Sequence, residues 1–125
     1  MSKPVLCLDF DGVLHRYDSG WRGARIIPDG PVDGAVAFLA AASEHFTIAI
    51  LSSRSHQEGG IAAMKVWVGL GCREMSGAVP AWFDAITWPT EKPSAMVTID
   101  DRAITFTGTW PDPKDLLAFK PWNKQ

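Results

Sequence analysis

The sequence predicts an α/β domain with a mainly parallel β-sheet. Short apolar runs with the character of buried strands alternate along the chain with segments of helical periodicity, as in β-α-β units. Three of these runs are followed at once by acidic or hydroxyl side chains. Because ligands bind beyond the carboxyl ends of the strands in an open parallel sheet, these polar groups are expected to meet in one crevice.

The first half of the chain is predicted to hold two buried strands and two helices. In order, these are a strand over residues 4–10, a helix over 32–43, a strand over 46–51 and a helix over 61–68. The first helix is rich in alanine, which favours helix, and Gly69 and Gly71 are expected to end the second. Residues 12–30 form a long connection with little periodicity, which indicates a functional segment.

The second half is predicted to hold shorter elements. They are a helical turn over residues 80–85, a short strand over 85–88, an apolar strand over 95–99, an edge strand over 104–106 and a final helix over 111–119. No repeat, linker or low-complexity tract divides the chain, so residues 1–125 are expected to form a single domain.

Composition narrows the class of protein. The net charge of −2 disfavours binding of nucleic acid through bulk charge, although a local basic patch stays open. The two cysteines, Cys7 and Cys72, provide no disulfide framework, which fits a reducing, cytoplasmic setting. No secretory leader and no apolar run of membrane-spanning length is recognised, so no membrane partner is expected.

The segment Asp9-Phe10-Asp11-Gly12 carries the most chemical information. Its two carboxylates lie two residues apart at the exit of the first strand, where they repel each other unless a cation or a shared proton intervenes. Mg²⁺ is the natural partner for such oxygen ligands. Beside a cation, one acid can act as nucleophile and the other as proton carrier. The plainer alternative is an acidic loop after a strand.

Polar residues at the other strand ends support the chemical interpretation. Ser52 follows the second strand, Asp100 and Asp101 follow the strand over 95–99, and Lys92 lies just upstream of that strand. Acids, a hydroxyl group and an ammonium group together suit a phosphoryl group held beside a metal ion.

With these residues, the chain resembles the haloacid dehalogenase-type phosphohydrolases. Four motifs occur in the order of that family: Asp9-Phe10-Asp11-Gly12-Val13, Leu51-Ser52-Ser53-Arg54, Lys92, and Ile99-Asp100-Asp101-Arg102. The resemblance implies a three-layer, Rossmann-like domain with a short flap over residues 15–28. No segment is long enough for a cap domain, so the enzyme is expected to be of the small capless type.

The resemblance also implies catalytic roles. Asp9 would attack phosphorus and form an aspartyl-phosphate, and Asp11 would protonate the leaving oxygen and then help to activate water. Ser52 would donate a hydrogen bond to the phosphoryl group, and Lys92 would neutralise its charge. Ser52 as a turn residue, with Ser53 in its place, and Lys92 as a solvated lysine are the alternatives.

Mg²⁺ is the cofactor that the resemblance implies. Its ligands would be Asp9, the backbone carbonyl of Asp11 and an acid of the last motif, with Asp101 preferred and Asp100 supporting the cation or Lys92. Asp100 or Asp101 as a helix cap is the alternative.

Substrate contacts are expected from Ser53 and Arg54 beside the second motif and from Trp21 and Arg22 on the flap. Salt bridges to the acids are the alternative for Arg54, and packing of the flap onto the body is the alternative for the aromatic ring. His15 and His56 border the two motifs and are expected at the surface.

The implied activity is a Mg²⁺-dependent phosphomonoesterase, and the implied substrates are bulky or accessible phosphates. Nucleotides and nucleic-acid ends fit, since the last motif and short flap are similar to those of polynucleotide 3′-phosphatase domains. A monomer or a small homo-oligomer is expected, and a partner subunit could close the site. Two other classes stay open: a phosphoacceptor receiver module, disfavoured because the middle strand ends in Ser52 and not in an aspartate, and a catalytically silent binding module.

Overall fold

The computed structural model describes residues 2–124 and confirms the predicted α/β fold. Its elements are, in order, β1 (Val5–Leu8), α1 (Ala35–Ser43), β2 (Thr47–Ile50), α2 (Gly60–Ser76), α3 (Ala81–Asp84), β3 (Val97–Ile99) and α4 (Pro113–Leu116). Single turns of 3-10 helix occur at Ser53–His56 and Trp122–Lys124.

The sheet is parallel throughout, with the strand order β2-β1-β3. The strand predicted over residues 85–88 is wrong, because in the structure only Thr87 bridges to β2, in parallel with Ala49. The segment between α3 and Pro89 is short, and a proline lacks the N–H that a longer ladder would need. The edge strand predicted over residues 104–106 is also wrong, since that segment is irregular and exposed.

The hydrophobic core is built on one face of β1 and β2. Alternate side chains of these strands meet α1 and α2 there, namely Leu6, Leu8, Ile48 and Ile50 from the sheet, Val36 and Leu39 from α1, and Met64, Val68 and Cys72 from α2. The α2 residues recur every four positions, which places them on one side of the helix.

Helix α2 continues through Gly69 and Gly71, where it was predicted to end. A Cβ atom at Gly71 would lie 3.2 Å from Val36 Cγ2, so the glycine allows α1 to approach closely. The helix ends instead at Gly77, whose φ of +81° suits a residue without a side chain and whose N–H donates to the Arg73 carbonyl at 2.8 Å. Gly71 therefore serves the packing of α1 on α2, and neither of the two earlier glycines ends the helix.

The last third of the chain is far more exposed than predicted. Val97 and Ile99 of β3 are exposed, because α1 and α2 pack over β1 and β2. The final helix is a single turn, α4, and its apolar neighbours Leu117 and Phe119 stay in solvent. Such a short helix with no buried face cannot lengthen unaided. None of the helices in residues 2–124 has the length and apolar character needed to cross a membrane.

Candidate active site

The carboxyl ends of β1 and β3 meet at one edge of the sheet and bring three acids together. Asp9 directly follows β1, and Asp100 and Asp101 directly follow β3. The Asp9 N–H donates to the Ile99 carbonyl at 3.0 Å, which holds the two strand ends side by side. We call Asp9, Asp100 and Asp101 the acid cluster, since one carboxylate oxygen of each lies within 4.8 Å of the others.

The acid cluster has the properties of a site for a hard cation. Asp9 Oδ1 accepts a hydrogen bond from the Phe10 N–H at 2.8 Å, and Asp100 Oδ1 accepts one from the Arg102 N–H at 2.8 Å. Asp101 Oδ1 is buried and has no hydrogen-bond partner among the described residues. A buried carboxylate oxygen without a partner is costly, and Mg²⁺ or Ca²⁺ would satisfy it.

Burial raises the pKa of Asp9 to about 8. A hydrogen bond with the Asp101 side chain and the negative charges of Asp100 and Asp101 add to the rise, whereas the Phe10 N–H lowers the pKa. Without a cation, Asp9 therefore keeps its proton near neutral pH. A divalent cation in the acid cluster would favour the ionised, nucleophilic form.

Gly12 holds the turn after β1 against the acid cluster. Its φ is +83°, and a Cβ atom built there would collide with the Asp101 carboxylate. Its carbonyl accepts a hydrogen bond from Trp122 Nε1 at 2.7 Å, which ties the C-terminal turn to the same place. Only glycine fits both the backbone conformation and the space beside Asp101.

Gly12→Ala is expected to lower stability by roughly 1–3 kcal/mol through backbone strain and, in addition, to displace Asp101. Denaturant unfolding with and without Mg²⁺ would measure both effects. Gly77→Ala is the matched control, because Gly77 has a φ of +81° with open space where its Cβ would lie. The packing of Asp101 on Gly12 would be contradicted if both variants lost equal stability and kept equal stabilisation by Mg²⁺.

The Asp11 carboxylate lies in a buried ion-pair network and is not a member of the acid cluster. Arg54 donates to it from Nε, at 3.2 Å to Oδ1 and 3.0 Å to Oδ2, and from Nη2 to Oδ1 at 3.1 Å. His15 Nδ1 lies 2.9 Å from the same Oδ1. Both oxygens of Asp11 are thus held by nitrogen donors, a geometry that stabilises the carboxylate.

Arg54 is completely buried and also holds the flap. Its Nη1 donates to the carbonyls of Gly23, Ala24 and Ile26 at 2.8, 3.0 and 3.1 Å, and its guanidinium lies 4.8 Å from the Trp21 ring centroid. This placement confirms the salt-bridge alternative for Arg54 and leaves the side chain no free face toward a substrate. The 3-10 turn after β2 is what directs Arg54 inward.

His15 is buried, so its expected surface position is wrong. The Asp29 N–H donates to His15 Nε2 at 3.1 Å, which places the ring proton on Nδ1, where it can be donated to Asp11. The ring also packs edge-on against Trp67. Its place four residues after Asp11 is the sequence signal for this contact, but Asp29 could not be anticipated, because that contact depends on how the flap folds back.

Ser52 and Lys92 are the remaining predicted catalytic residues. Ser52 is buried at the end of β2, where its Oγ accepts from the Arg54 N–H at 3.1 Å and its N–H donates to Ser55 Oγ at 3.1 Å. This is the turn role that was the alternative for Ser52, and the hydroxyl hydrogen can still serve another acceptor. Ser53 and Lys92 are exposed, and within residues 2–124 Lys92 forms no ion pair with an acid.

The flap packs onto the body of the protein. A bridge between His15 and Pro31 closes the base of the flap, and just after the flap the Asp29 carbonyl accepts a hydrogen bond from Trp67 Nε1 at 3.0 Å. Trp21 is half exposed over Arg54, and Arg22 is exposed with its Nε donating to the Ser19 carbonyl at 3.2 Å. The ring of Trp21 therefore contributes to flap packing, while the Arg22 side chain lies at the surface.

In comparisons with protein-family models, with curated proteins and with solved structures, nothing matches the chain.

Proposed function

We propose that the protein is a Mg²⁺-dependent phosphomonoesterase of the haloacid dehalogenase type. The observation that carries the proposal is the acid cluster, in which three carboxylates from two neighbouring strand ends converge and one buried oxygen lacks a partner. Carboxylates this close repel one another unless a cation or a shared proton lies between them, and a divalent cation would also satisfy the unpartnered oxygen of Asp101.

Asp9, Asp101 and Asp100 would hold the Mg²⁺ ion. When bound, the ion supplies positive charge that neutralises and orients the oxygens of a phosphoryl group. Asp101 is the preferred direct ligand, because its Oδ1 is buried without a partner, whereas Asp100 is exposed and already accepts from the Arg102 N–H.

The proposed reaction has two displacements at phosphorus. A carboxylate oxygen of Asp9 forms a bond to phosphorus while the bond to the leaving oxygen breaks, and that oxygen takes up a proton. A water molecule then attacks the aspartyl-phosphate, gives up a proton, and releases inorganic phosphate and free Asp9. Covalent catalysis thus divides one difficult displacement into two easier ones.

Asp11 and Ser52 would assist these steps. Asp11 is proposed to carry the proton, but to do so its side chain must first turn away from Arg54, which holds it in the resting structure. Ser52 would donate its hydroxyl hydrogen to the phosphoryl group. Lys92 would need to move toward Asp9 before it could neutralise charge there, so its proposed role depends on substrate binding.

A three-layer, Rossmann-like arrangement is proposed for the fold. The chain moves across the sheet in the same direction from β1 to β2 and from β2 to Thr87, so right-handed connections put α1 and α2 on the same face of the sheet. The connection from Thr87 back to β3 runs in the opposite direction across the sheet and would cover the other face.

With no segment of cap length between the motifs, the site would be open to nucleotides, nucleic-acid ends and other bulky phosphates.

Both cysteines are free and buried, which supports a reducing, cytoplasmic setting.

A phosphatase screen would test the proposed function. The substrates are nucleotides, 3′- and 5′-phosphorylated oligonucleotides, sugar phosphates and phosphopeptides, each with Mg²⁺ and with a chelator. Sustained, Mg²⁺-dependent release of phosphate supports the proposal. Labelling by a small phosphodonor without turnover would favour a receiver module, and stabilisation by Mg²⁺ without either reaction would favour a silent binding module.

A further inference from the structure

The chain has more surface than its mass requires. It exposes 8040 Å², whereas a compact monomer of 13.6 kDa is expected to expose about 6,600 Å². The excess of about 1,400 Å² is larger than the roughly 800 Å² that each partner contributes to a standard interface. Part of this protein therefore lacks the packing expected of an isolated monomer.

The excess coincides with a long exposed segment, residues 102–120, which we call the arm. Every residue of the arm is exposed, although many of its side chains are large and apolar. The exposed fraction is 83% for Trp110 and 89% for Leu117, and the others are Ile104, Phe106, Leu116 and Phe119. An apolar surface of this size on a soluble domain marks an interaction site.

The arm has a defined course and both of its ends are attached to the body. It begins directly after the acid cluster, and it returns through buried Pro121 to Trp122, which donates to the Gly12 carbonyl. Within the arm, the rings of Phe106 and Trp110 pack with their centroids 4.6 Å apart. These attachments restrict the arm, which lowers the conformational entropy that binding a partner would cost.

We propose that the occupant of this surface is a second copy of the chain, bound arm to arm about a two-fold axis. Residues 102–120 carry three bases and two acids, so the arm has a net charge of only +1 and two arms can meet with little repulsion. A nucleic acid would require a larger surplus of cations there. The apolar surface continues onto β3, an edge strand of the sheet whose Val97 and Ile99 are exposed, and paired edges are a common basis for association.

Sedimentation velocity, with light scattering after size exclusion, would test the proposal on the whole chain. The wild type is expected at twice the chain mass at micromolar concentration, and Trp110→Ser with Leu117→Ser is expected to weaken dimerisation at least about tenfold. Leu70→Ser is the matched control, since Leu70 is an exposed leucine of α2 outside the arm. Circular dichroism would verify that each variant remains folded.

A second measurement separates the arm from other contacts. Hydrogen exchange should show protection of residues 102–120 that grows with protein concentration and disappears in the double variant. A wild type that stays monomeric at about 100 μM would overturn the proposal. A dimer that Leu70→Ser disrupts and that the double variant of the arm leaves intact would also overturn the proposal. The same holds for a monomer whose arm is protected from hydrogen exchange only when a different protein binds.

Discussion

Asp9→Asn is expected to abolish phosphate release while the protein stays folded. The amide cannot form an aspartyl-phosphate, so the rate with the best substrate of the screen should fall at least about a thousandfold. Steady-state release of phosphate with Mg²⁺ would measure the loss. Asp84→Asn on α3 is the control, because Asp84 is an exposed acid outside the acid cluster. Full activity in Asp9→Asn would refute the assignment of the nucleophile.

Asp9→Asn should also remove a loss of stability that the metal-free wild type shows as the pH rises. The pKa of Asp9 is about 8 in the metal-free folded chain and near 4 in the unfolded chain, so the folded state binds more protons between these values. The free energy of unfolding must therefore fall as the pH rises through this window. Asp9→Asn removes that contribution, and its advantage over the wild type should grow from pH 4 to pH 8 in chelator.

Mg²⁺ should stabilise the wild type more strongly as the pH rises, which is the opposite of the trend without the metal. Because the ion requires ionised Asp9, its stabilising effect in thermal unfolding should increase with pH up to about 8. Asp9→Asn should show much less stabilisation by Mg²⁺ at every pH. Equal stabilisation of both proteins would place the ion elsewhere and leave the catalytic result of Asp9→Asn to be interpreted separately.

Arg54→Met is expected to lower the free energy of unfolding by about 3–5 kcal/mol, since it leaves a buried carboxylate without its counter-ion. The carbonyls of Gly23, Ala24 and Ile26 lose a shared donor at the same time. Urea unfolding followed by tryptophan fluorescence would measure the loss, and Trp21 beside the guanidinium should report local opening of the flap.

Two further variants define the origin of that loss. Arg25→Met removes an exposed arginine that pairs with Glu58 on the surface, and it should change stability little. Asp11→Asn combined with Arg54→Met should cost less than the sum of the single changes, because the two side chains interact directly. Additive costs, or a harmless Arg54→Met, would show that the buried ion pair does not form.

The part of the site that follows from strand order could be predicted from sequence. Asp9 and Asp100/Asp101 each follow an apolar strand, and parallel strands bring their carboxyl ends to one edge, so convergence of the acids required only the assignment of the strands. The α/β class follows for the same reason. Burial of Cys7 and Cys72 agrees with their usual behaviour as small apolar side chains.

The other features of the fold and of the site depend on contacts between distant segments of the chain. Arg54 has one partner on the loop after β1 and three on the flap, and nothing in its local sequence shows which of them it meets. Gly71 has the composition of a helix stop, yet it lies where α1 crosses α2. The final helix and the strand over 104–106 were predicted from local periodicity, which carries no information on whether a core is available to bury them.

Arg54 couples the flap to Asp11, because its guanidinium donates hydrogen bonds to both. A ligand that lifts the flap removes three acceptors from the guanidinium, and a ligand that draws Asp11 toward a leaving oxygen removes the fourth. Neither movement can occur without changing the free energy of the other. Under the proposed function, entry of a substrate and delivery of a proton would be linked through this single buried side chain, and Arg54 would set the order of the two events.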